Sequence, residues 1–220
     1  VGPIRMRLAL AQSKNVVAVR LLKSIGIDKT RDHLSSFGFA PDELPRNESL
    51  ALGSASLTPL EVVTGFATFA NGGFLIEPYL IERIENSEGE VIYQANPEWA
   101  CEPCTTPPKL YEDPQDMSAY NEEEIPNELL DDQIITPEKI SAPRAISAQN
   151  AFLITQALNS AIWGADWSVD NGWQGTGWRA RALKRRDMGG KTGTTNEAKD
   201  AWFSGFTRRL VTTSWIGFDD

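Results

Sequence analysis

The sequence predicts an α+β chain. Helical patterns crowd the first third, strand patterns fill the last, and an acidic, proline-rich stretch separates them. Helices gathered in one block and strands in another agree with that class. The strand signal is clearest around Met188-Gly189-Gly190-Lys191-Thr192-Gly193-Thr194-Thr195, which leads into Ala201-Trp202-Phe203-Ser204-Gly205-Phe206 and the run from Leu210 to Phe218. Apolar, aromatic and β-branched runs parted by short polar turns read as an antiparallel meander, with Lys191 to Thr194 on its first strand. Glycine within a strand marks close approach by another backbone, and a peptide laid along the edge is one such approach.

Each earlier element has its own signal. Pro3 to Gln12 reads as a helix, with proline in its first turn and Ile4, Leu8 and Ala11 on one face. A second helix runs from about Val16 to Ser24, where Gly26 suits a left-handed C-terminal cap. Asp28 can cap a third, ended by Gly38, and Pro41 to Asn47 reads as loop. Thr58-Pro59-Leu60-Glu61 combines a Thr-x-x-Glu capping box with proline at the first helical position. Val62, Val63, Phe66 and Phe69 give that helix an apolar face, and Asn71-Gly72-Gly73 stops it. Phe74 to Ile76 and Tyr79 to Ile84 are extended. Ser87-Glu88-Gly89-Glu90 then turns the chain into Val91-Ile92-Tyr93 as a hairpin. Ser147 caps a helix over Ala148 to Ile162, whose Phe152, Leu153, Ala157, Leu158 and Ala161 are expected to be mostly buried. Trp163 to Trp178 holds four of the seven tryptophans, a composition that suits a packed loop or a ligand platform. Thr176-Gly177 leads into a short basic helix through Leu183.

Composition narrows the function. The 220 residues suit one or two domains, with ordinary apolar and charged fractions of 41% and 23%. No apolar run is long enough to span a bilayer, and no signal peptide is present. The chain starts in a helical pattern and stops in a strand pattern, so it is expected to be a portion of a longer protein. A net charge of −9 argues against nucleic acid as a partner. Nine acids and no base lie between Glu112 and Asp132, so the remainder is balanced. Residues 96–143 are read as an exposed, partly disordered excursion. Within it, Cys101-Glu102-Pro103-Cys104 is read as a small structural disulfide, with two free thiols as the alternative. A redox pair needs a helix at the motif, which Thr105-Thr106-Pro107-Pro108 does not readily supply. Half a zinc site needs two further ligands, and none is evident. The lone histidine, His33, sits in a polar helix pattern and is read as a surface residue. Any serine chemistry is therefore expected to use lysine as its proton carrier.

Two polar boxes remain. Gly-Gly-Lys-Thr suggests a phosphate loop, but Arg185 stands where that loop needs glycine, and a strand follows where a helix should start. Lys191-Thr192-Gly193 also has the form of the Lys-Thr-Gly box of penicillin-binding proteins and serine β-lactamases. Ser13-Lys14-Asn15 lies where one helix ends and the next begins. Its two polar side chains can turn into a cleft, although helix capping is the better reading of that box alone.

Ser-x-Asn followed by Lys-Thr-Gly is the order of the penicilloyl-serine transferases. Around the boxes, Leu10-Ala11-Gln12-Ser13-Lys14-Asn15-Val16-Val17, Gly175-Thr176-Gly177 ahead of Arg179-Ala180-Arg181, and Gly189 to Asn196 leading into Asp200 to Phe206 extend the likeness. So do Ser56-Leu57-Thr58-Pro59, Asn71-Gly72-Gly73 and Trp215-Ile216-Gly217. With them the chain resembles the transpeptidase domain of class A penicillin-binding proteins, the 1a subgroup above all, everywhere except the acidic excursion. One departure is large. The family's nucleophile belongs to a Ser-x-x-Lys box upstream of Ser-x-Asn, and no Ser-x-x-Lys occurs in this sequence. Thr136-Pro137-Glu138-Lys139 is nearest in form, but it begins with threonine and comes in the wrong order. Residues 1–220 are thus expected to be the carboxy-terminal portion of one transpeptidase domain, unable to form an acyl-enzyme alone.

The resemblance implies a mainly antiparallel sheet flanked by helices beside an all-helical lobe, with the boxes meeting in the cleft between them. It implies a serine acyl-enzyme that cross-links peptidoglycan stem peptides and reacts with β-lactam antibiotics, without metal or cofactor. Ser13 is implied as proton relay and Asn15 as the holder of the substrate amide and orienter of the absent lysine. Lys191 is the implied cation beside Ser13. Thr192 and Thr194 are implied as ligands of the substrate carboxylate. The Thr194 N–H is the implied oxyanion donor, and Gly193 the implied clearance for the substrate backbone. The implied location is the periplasmic face of the inner membrane, anchored elsewhere in the protein. A β-lactamase-like hydrolase and a non-catalytic β-lactam sensor or scaffold are the alternatives. No Glu-x-x-Leu-Asn deacylation motif accompanies the boxes, and Ser13 and Lys191 are far apart in sequence for a compact β-lactamase.

Overall fold

The computed structural model describes residues 2–101, 139–164, 173–195 and 199–218. Five helices, α1 Met6–Ala11, α2 Asn15–Ile25, α3 Ile27–Ser35, α4 Pro59–Ala70 and α5 Ala148–Trp163, accompany a hairpin, β1 Arg83–Glu85 with β2 Val91–Gln94, and three later strands. These are β3 Gly189–Thr194, β4 Asp200–Phe206 and β5 Val211–Gly217, an antiparallel meander in the order β3-β4-β5. The α+β arrangement of antiparallel sheet and flanking helices agrees with the sequence. α5 packs on β3, and α4 on β4 and β5.

Local chemistry explains where elements start and stop. In the α4 capping box, the Glu61 N–H donates to Thr58 Oγ1 at 3.2 Å, and the Thr58 N–H donates to the Glu61 carboxylate at 2.7 Å. The Thr58 N–H and, after it, the Thr58 hydroxyl, both donating to the carboxylate, hold the Glu61 carboxyl below the usual carboxylate range. Asn71 ends the helix, its side-chain oxygen accepting from the Gly73 and Phe74 N–H groups. Gly73 has φ near +109°, and a Cβ there would lie 2.3 Å from the Ile146 carbonyl, so two requirements coincide on glycine. Ser147 caps α5 by accepting from the Asn150 N–H.

Several expectations need correction. α1 begins at Met6, not Pro3. Gly26, not Asp28, is the residue at the N-cap of α3, and Asp28 lies in the first turn. Pro41–Glu43 forms a short 3₁₀ turn within the expected loop, and a second 3₁₀ turn, Glu48–Leu52, follows it. On α5, Phe152 and Leu153 are each 63% exposed, not buried. At about 100° per residue the buried face carries Ala151, Leu158, Ala161 and Ile162, and Phe152 and Leu153 lie well round from it.

Of the acidic excursion, residues 102–138 lie outside the described residues. Its two ends meet. The Trp99 N–H donates to Ile140 O at 2.8 Å, the Ala142 N–H donates to Trp99 O at 2.9 Å, and Lys139 Nζ stands 4.4 Å over the Trp99 ring. Cys101 is disulfide-bonded. Its expected partner, Cys104, lies outside the described residues.

Candidate active site

The site begins at the end of α1. The Ser13 N–H donates to Leu10 O at 3.0 Å, and the Lys14 N–H donates to Ala9 O at 2.9 Å. These two bonds form a Schellman closure, with Ser13 at the position usually given to glycine. Its φ is +52°, in the left-handed region that costs a residue with a Cβ roughly 1–2 kcal/mol. The capping reading is therefore corrected. Lys14 is the residue at the N-cap of α2, which has no side-chain cap, and the Ser13 and Asn15 side chains cap neither helix. The tight reversal instead aims the Ser13 hydroxyl at β3.

Lys191 arrives from the middle of β3. Its Nζ donates to Ser13 Oγ at 3.0 Å and to the Thr192 carbonyl at 2.7 Å. Burial pushes the Lys191 ammonium below the ordinary lysine range, and no carboxylate among the described residues offsets that. Hydroxyl and ammonium, 178 residues apart in sequence, thus share one groove. Asn15 opens α2 beside them, with its side chain exposed. Among the described residues no hydrogen bond occupies its amide, which leaves it open to a ligand.

α5 sets the spacing between the two boxes. Ala9 and Ala11 of α1 and Ala161 of α5 are buried, and small side chains let the two helices approach closely. Arg7 reaches from α1 to α5, with Nε donating to Ser160 Oγ and Nη2 to Gln156 O. At the other flank, Asn159 Nδ2 donates to the carbonyls of Arg186 and Met188, both at 2.9 Å, just before β3. One helix therefore braces both Ser13 and Lys191.

β3 borders the sheet, so one side of its backbone is unpaired by β4. The Thr195 N–H donates to Asp200 O on β4, and strand alternation then turns the Thr194 N–H to the free edge. The Thr192 carbonyl faces the same way, where Lys191 reaches it. The Thr192 hydroxyl donates to Thr176 Oγ1 at 2.7 Å. Gly193 pairs across with Trp202, and a Cβ there would lie 3.2 Å from Trp202 Cβ. The strand neighbour alone thus presses for glycine.

Two parts of the groove escaped sequence reasoning. Thr176 stood out only as part of a family motif, with no role attached. Asp200 braces the β3–β4 connection by accepting from Thr195 Oγ1 at 3.0 Å and Trp215 Nε1 at 2.9 Å. Its prior signals were its place ahead of a strand and in the family likeness, with no role attached. His33 is exposed and edge-on to Phe37, away from this chemistry. A separate cavity, lined by Phe39, Leu60, Leu75, Ile76 and Pro143 among others, includes neither Ser13 nor Lys191. No group of acids, cysteines and histidine suited to a metal occurs among the described residues.

Comparison with known proteins gives a consistent picture. Residues 1–217 match the family model of the penicillin binding protein transpeptidase domain. Penicillin-binding protein 1A of Vibrio cholerae is 47% identical over 221 residues, covering 100% of this chain and 24% of that protein. Penicillin-binding protein 1A of Escherichia coli is 45% identical over 239 residues, covering 100% and 27%. The chain thus spans about a quarter of these relatives' length. The crystal structure of penicillin-binding protein 1A from Haemophilus influenzae superposes with a TM-score of 0.79 at 46% identity, covering 100% of this chain and 31% of that one. The imipenem acyl-enzyme of penicillin-binding protein A from M. tuberculosis shares the fold at 20% identity, with a TM-score of 0.56 over 96% of this chain and 41% of that one.

Proposed function

The chain belongs to the penicillin-binding protein transpeptidase family, and from that premise we propose that its parent protein is a peptidoglycan D,D-transpeptidase whose groove is built by Ser13, Asn15 and Lys191. The carrying observation is the 3.0 Å hydrogen bond from Lys191 Nζ to Ser13 Oγ. The attacking serine lies in a Ser-x-x-Lys box elsewhere in the parent. Its hydroxyl passes its proton to the lysine of that box as the oxygen adds to the carbonyl of the penultimate D-Ala of a stem peptide, and the negative charge gathers on the carbonyl oxygen. The Thr194 N–H on the free edge of β3 is one donor to that oxygen, and such a donor is typically worth about 3 kcal/mol of barrier. Collapse of the intermediate breaks the peptide C–N bond. The departing D-Ala amine takes a proton from Ser13 Oγ, which the box lysine resupplies with the proton taken from the attacking serine, and Lys191 Nζ donates to the Ser13 oxygen throughout. The amine of a second stem then attacks the acyl-enzyme, delivers a proton back along the same path, and frees the serine with the cross-link made.

Binding uses the other polar groups. Asn15 holds the stem-peptide amide and orients the lysine of the absent box. Lys191 and the hydroxyls of Thr192 and Thr194 receive the terminal carboxylate, where a unit charge pair at contact near a surface is worth on the order of 4 kcal/mol. Gly193 leaves the strand edge open to an extended substrate backbone. A β-lactam presents a carboxylate and an acylating carbonyl to the same groups. On this reading the domain works on the periplasmic face of the inner membrane, anchored by another part of the protein. No helix among the described residues is long and apolar enough to cross a membrane.

Labelling with a fluorescent penicillin tests the proposal. The full-length parent is expected to form a stoichiometric, long-lived adduct, and residues 1–220 alone to remain unlabelled. Rapid release of opened penicillin would identify a hydrolase, and labelling of residues 1–220 would place the nucleophile within this chain.

A further inference from the structure

Resting on the function proposed above, we infer that Thr176 is a positioning residue that aims the Thr192 hydroxyl at the carboxylate of the ligand. Thr176 sits on a short strap between α5 and the 3₁₀ turn Trp178–Leu183. The strap is fixed at three successive residues. At Gly175 a Cβ would lie 2.1 Å from the Ala161 carbonyl, so the backbone there lies flat on the end of α5. The Thr176 N–H donates to Ala11 O at 2.9 Å, two residues before Ser13. The Gly177 N–H donates to Ala161 O, also at 2.9 Å. The side chain carried by this clamped backbone points to β3, where its Oγ1 is 2.7 Å from Thr192 Oγ1. One residue thus touches the Ser-x-Asn segment through its backbone and the Lys-Thr-Gly strand through its hydroxyl.

A hydroxyl has one donor and two acceptor positions. At rest Thr192 donates to Thr176. When a carboxylate arrives, Thr192 must turn its proton to that anion, and Thr176 then donates to Thr192 in return. The reversal rotates two O–H bonds and moves no heavy atom. A hydroxyl that accepts one hydrogen bond is a better donor of the next, so the reversed pair grips the carboxylate more strongly than Thr192 alone. Thr176 itself need not touch the ligand.

The test uses the full-length parent and fluorescent penicillin, with the dissociation constant before acylation resolved from the acylation rate constant by stopped flow. T176V keeps the backbone clamp and the side-chain shape but removes the hydroxyl. It is expected to weaken initial binding about fivefold, the effect of one net hydrogen bond, with the acylation rate constant within about twofold of wild type. T176S is expected to bind like wild type. Unchanged binding in T176V, or a T176S variant as weak as T176V, overturns the inference while the labelled wild type upholds the functional reading. An unlabelled wild type overturns both.

Discussion

Replacing Ser13 should separate stability from activity. The residue occupies φ +52° at the close of α1 and also donates its hydroxyl to the groove chemistry. Ser13→Ala and Ser13→Gly both remove the hydroxyl and leave Lys191 Nζ with the Thr192 carbonyl and water. The two variants differ mainly in whether a Cβ must sit in the left-handed region. That conformation costs an alanine roughly 1–2 kcal/mol, and the greater freedom of glycine in the unfolded chain returns about 0.5–1 kcal/mol of the difference. The glycine variant is therefore expected to be more stable than the alanine variant by about 0.5–1 kcal/mol. A relay proton donor contributes typically 10²–10⁴-fold, so both variants should lose at least about 100-fold in stem-peptide cross-linking by the full-length parent. Denaturant unfolding of the transpeptidase domain and a cross-linking assay read the two quantities separately. Equal stability of the two variants would refute the backbone reasoning. Normal cross-linking by either would refute the relay.

Three further outcomes follow from the groove and its supports. Lys191→Met should abolish penicillin acylation by at least about 100-fold, as a lost contact charge implies, whereas Lys29→Met on the exposed face of α3 should leave it unchanged. Lys191 also carries a pH signature. Its folded pKa is lowered by burial, so between that value and the ordinary lysine pKa the unfolded chain binds more protons, and stability rises with pH across the window. The Met variant should lose that alkaline rise, as urea midpoints at neutral and alkaline pH would reveal. Gly193→Val should slow acylation and also lower the melting temperature, because its Cβ meets Trp202 at 3.2 Å; unchanged melting would remove the cross-strand contact as a reason for glycine there. Thr58→Ala should cost about 1 kcal/mol of stability through the lost cap. It should also make the acid limb shallower without removing it: the depressed Glu61 pKa gives stability that is lost as pH falls through the folded value, and alanine keeps the backbone N–H that lowers this pKa most while losing the hydroxyl. Acid titration of the unfolding free energy compares the two proteins.

What was legible in the sequence divides along physical lines. Local signals were read correctly: the Thr58–Glu61 box, the Ser147 cap and the turn between β1 and β2 each depend on neighbours within a few residues. The meander was legible because its strands are aromatic and β-branched and its turns short. Burial on α5 was misread because Phe152 and Leu153 are apolar yet lie on the face turned away from α1 and β3. The face a helix presents depends on its partners, and these are fixed by contacts more than a hundred residues away in sequence. The Arg7–Ser160 bond is such a contact.

The groove shows the same division more sharply. Lys191 and Ser13 were legible as motif members, and the expectation that they converge agrees with the 3.0 Å hydrogen bond between them. The means of convergence was hidden. Ser13 read as a capping residue because serine is ordinary at helix starts, whereas here it takes the place of a helix-ending glycine. A glycine there would relieve the left-handed strain but could not present a hydroxyl to Lys191. The strain of roughly 1–2 kcal/mol is therefore tied to the proposed relay, since the turn that costs it also points the side chain across the groove. Thr176 escaped for a related reason. Its partners, Ala11 and Thr192, lie on opposite sides of it in sequence, so neither local periodicity nor local capping could reveal it. In this fold the residues of the proposed site sit where α5 and the Gly175–Gly177 strap force distant segments together, and small residues at those crossings mark the place as surely as the polar ones.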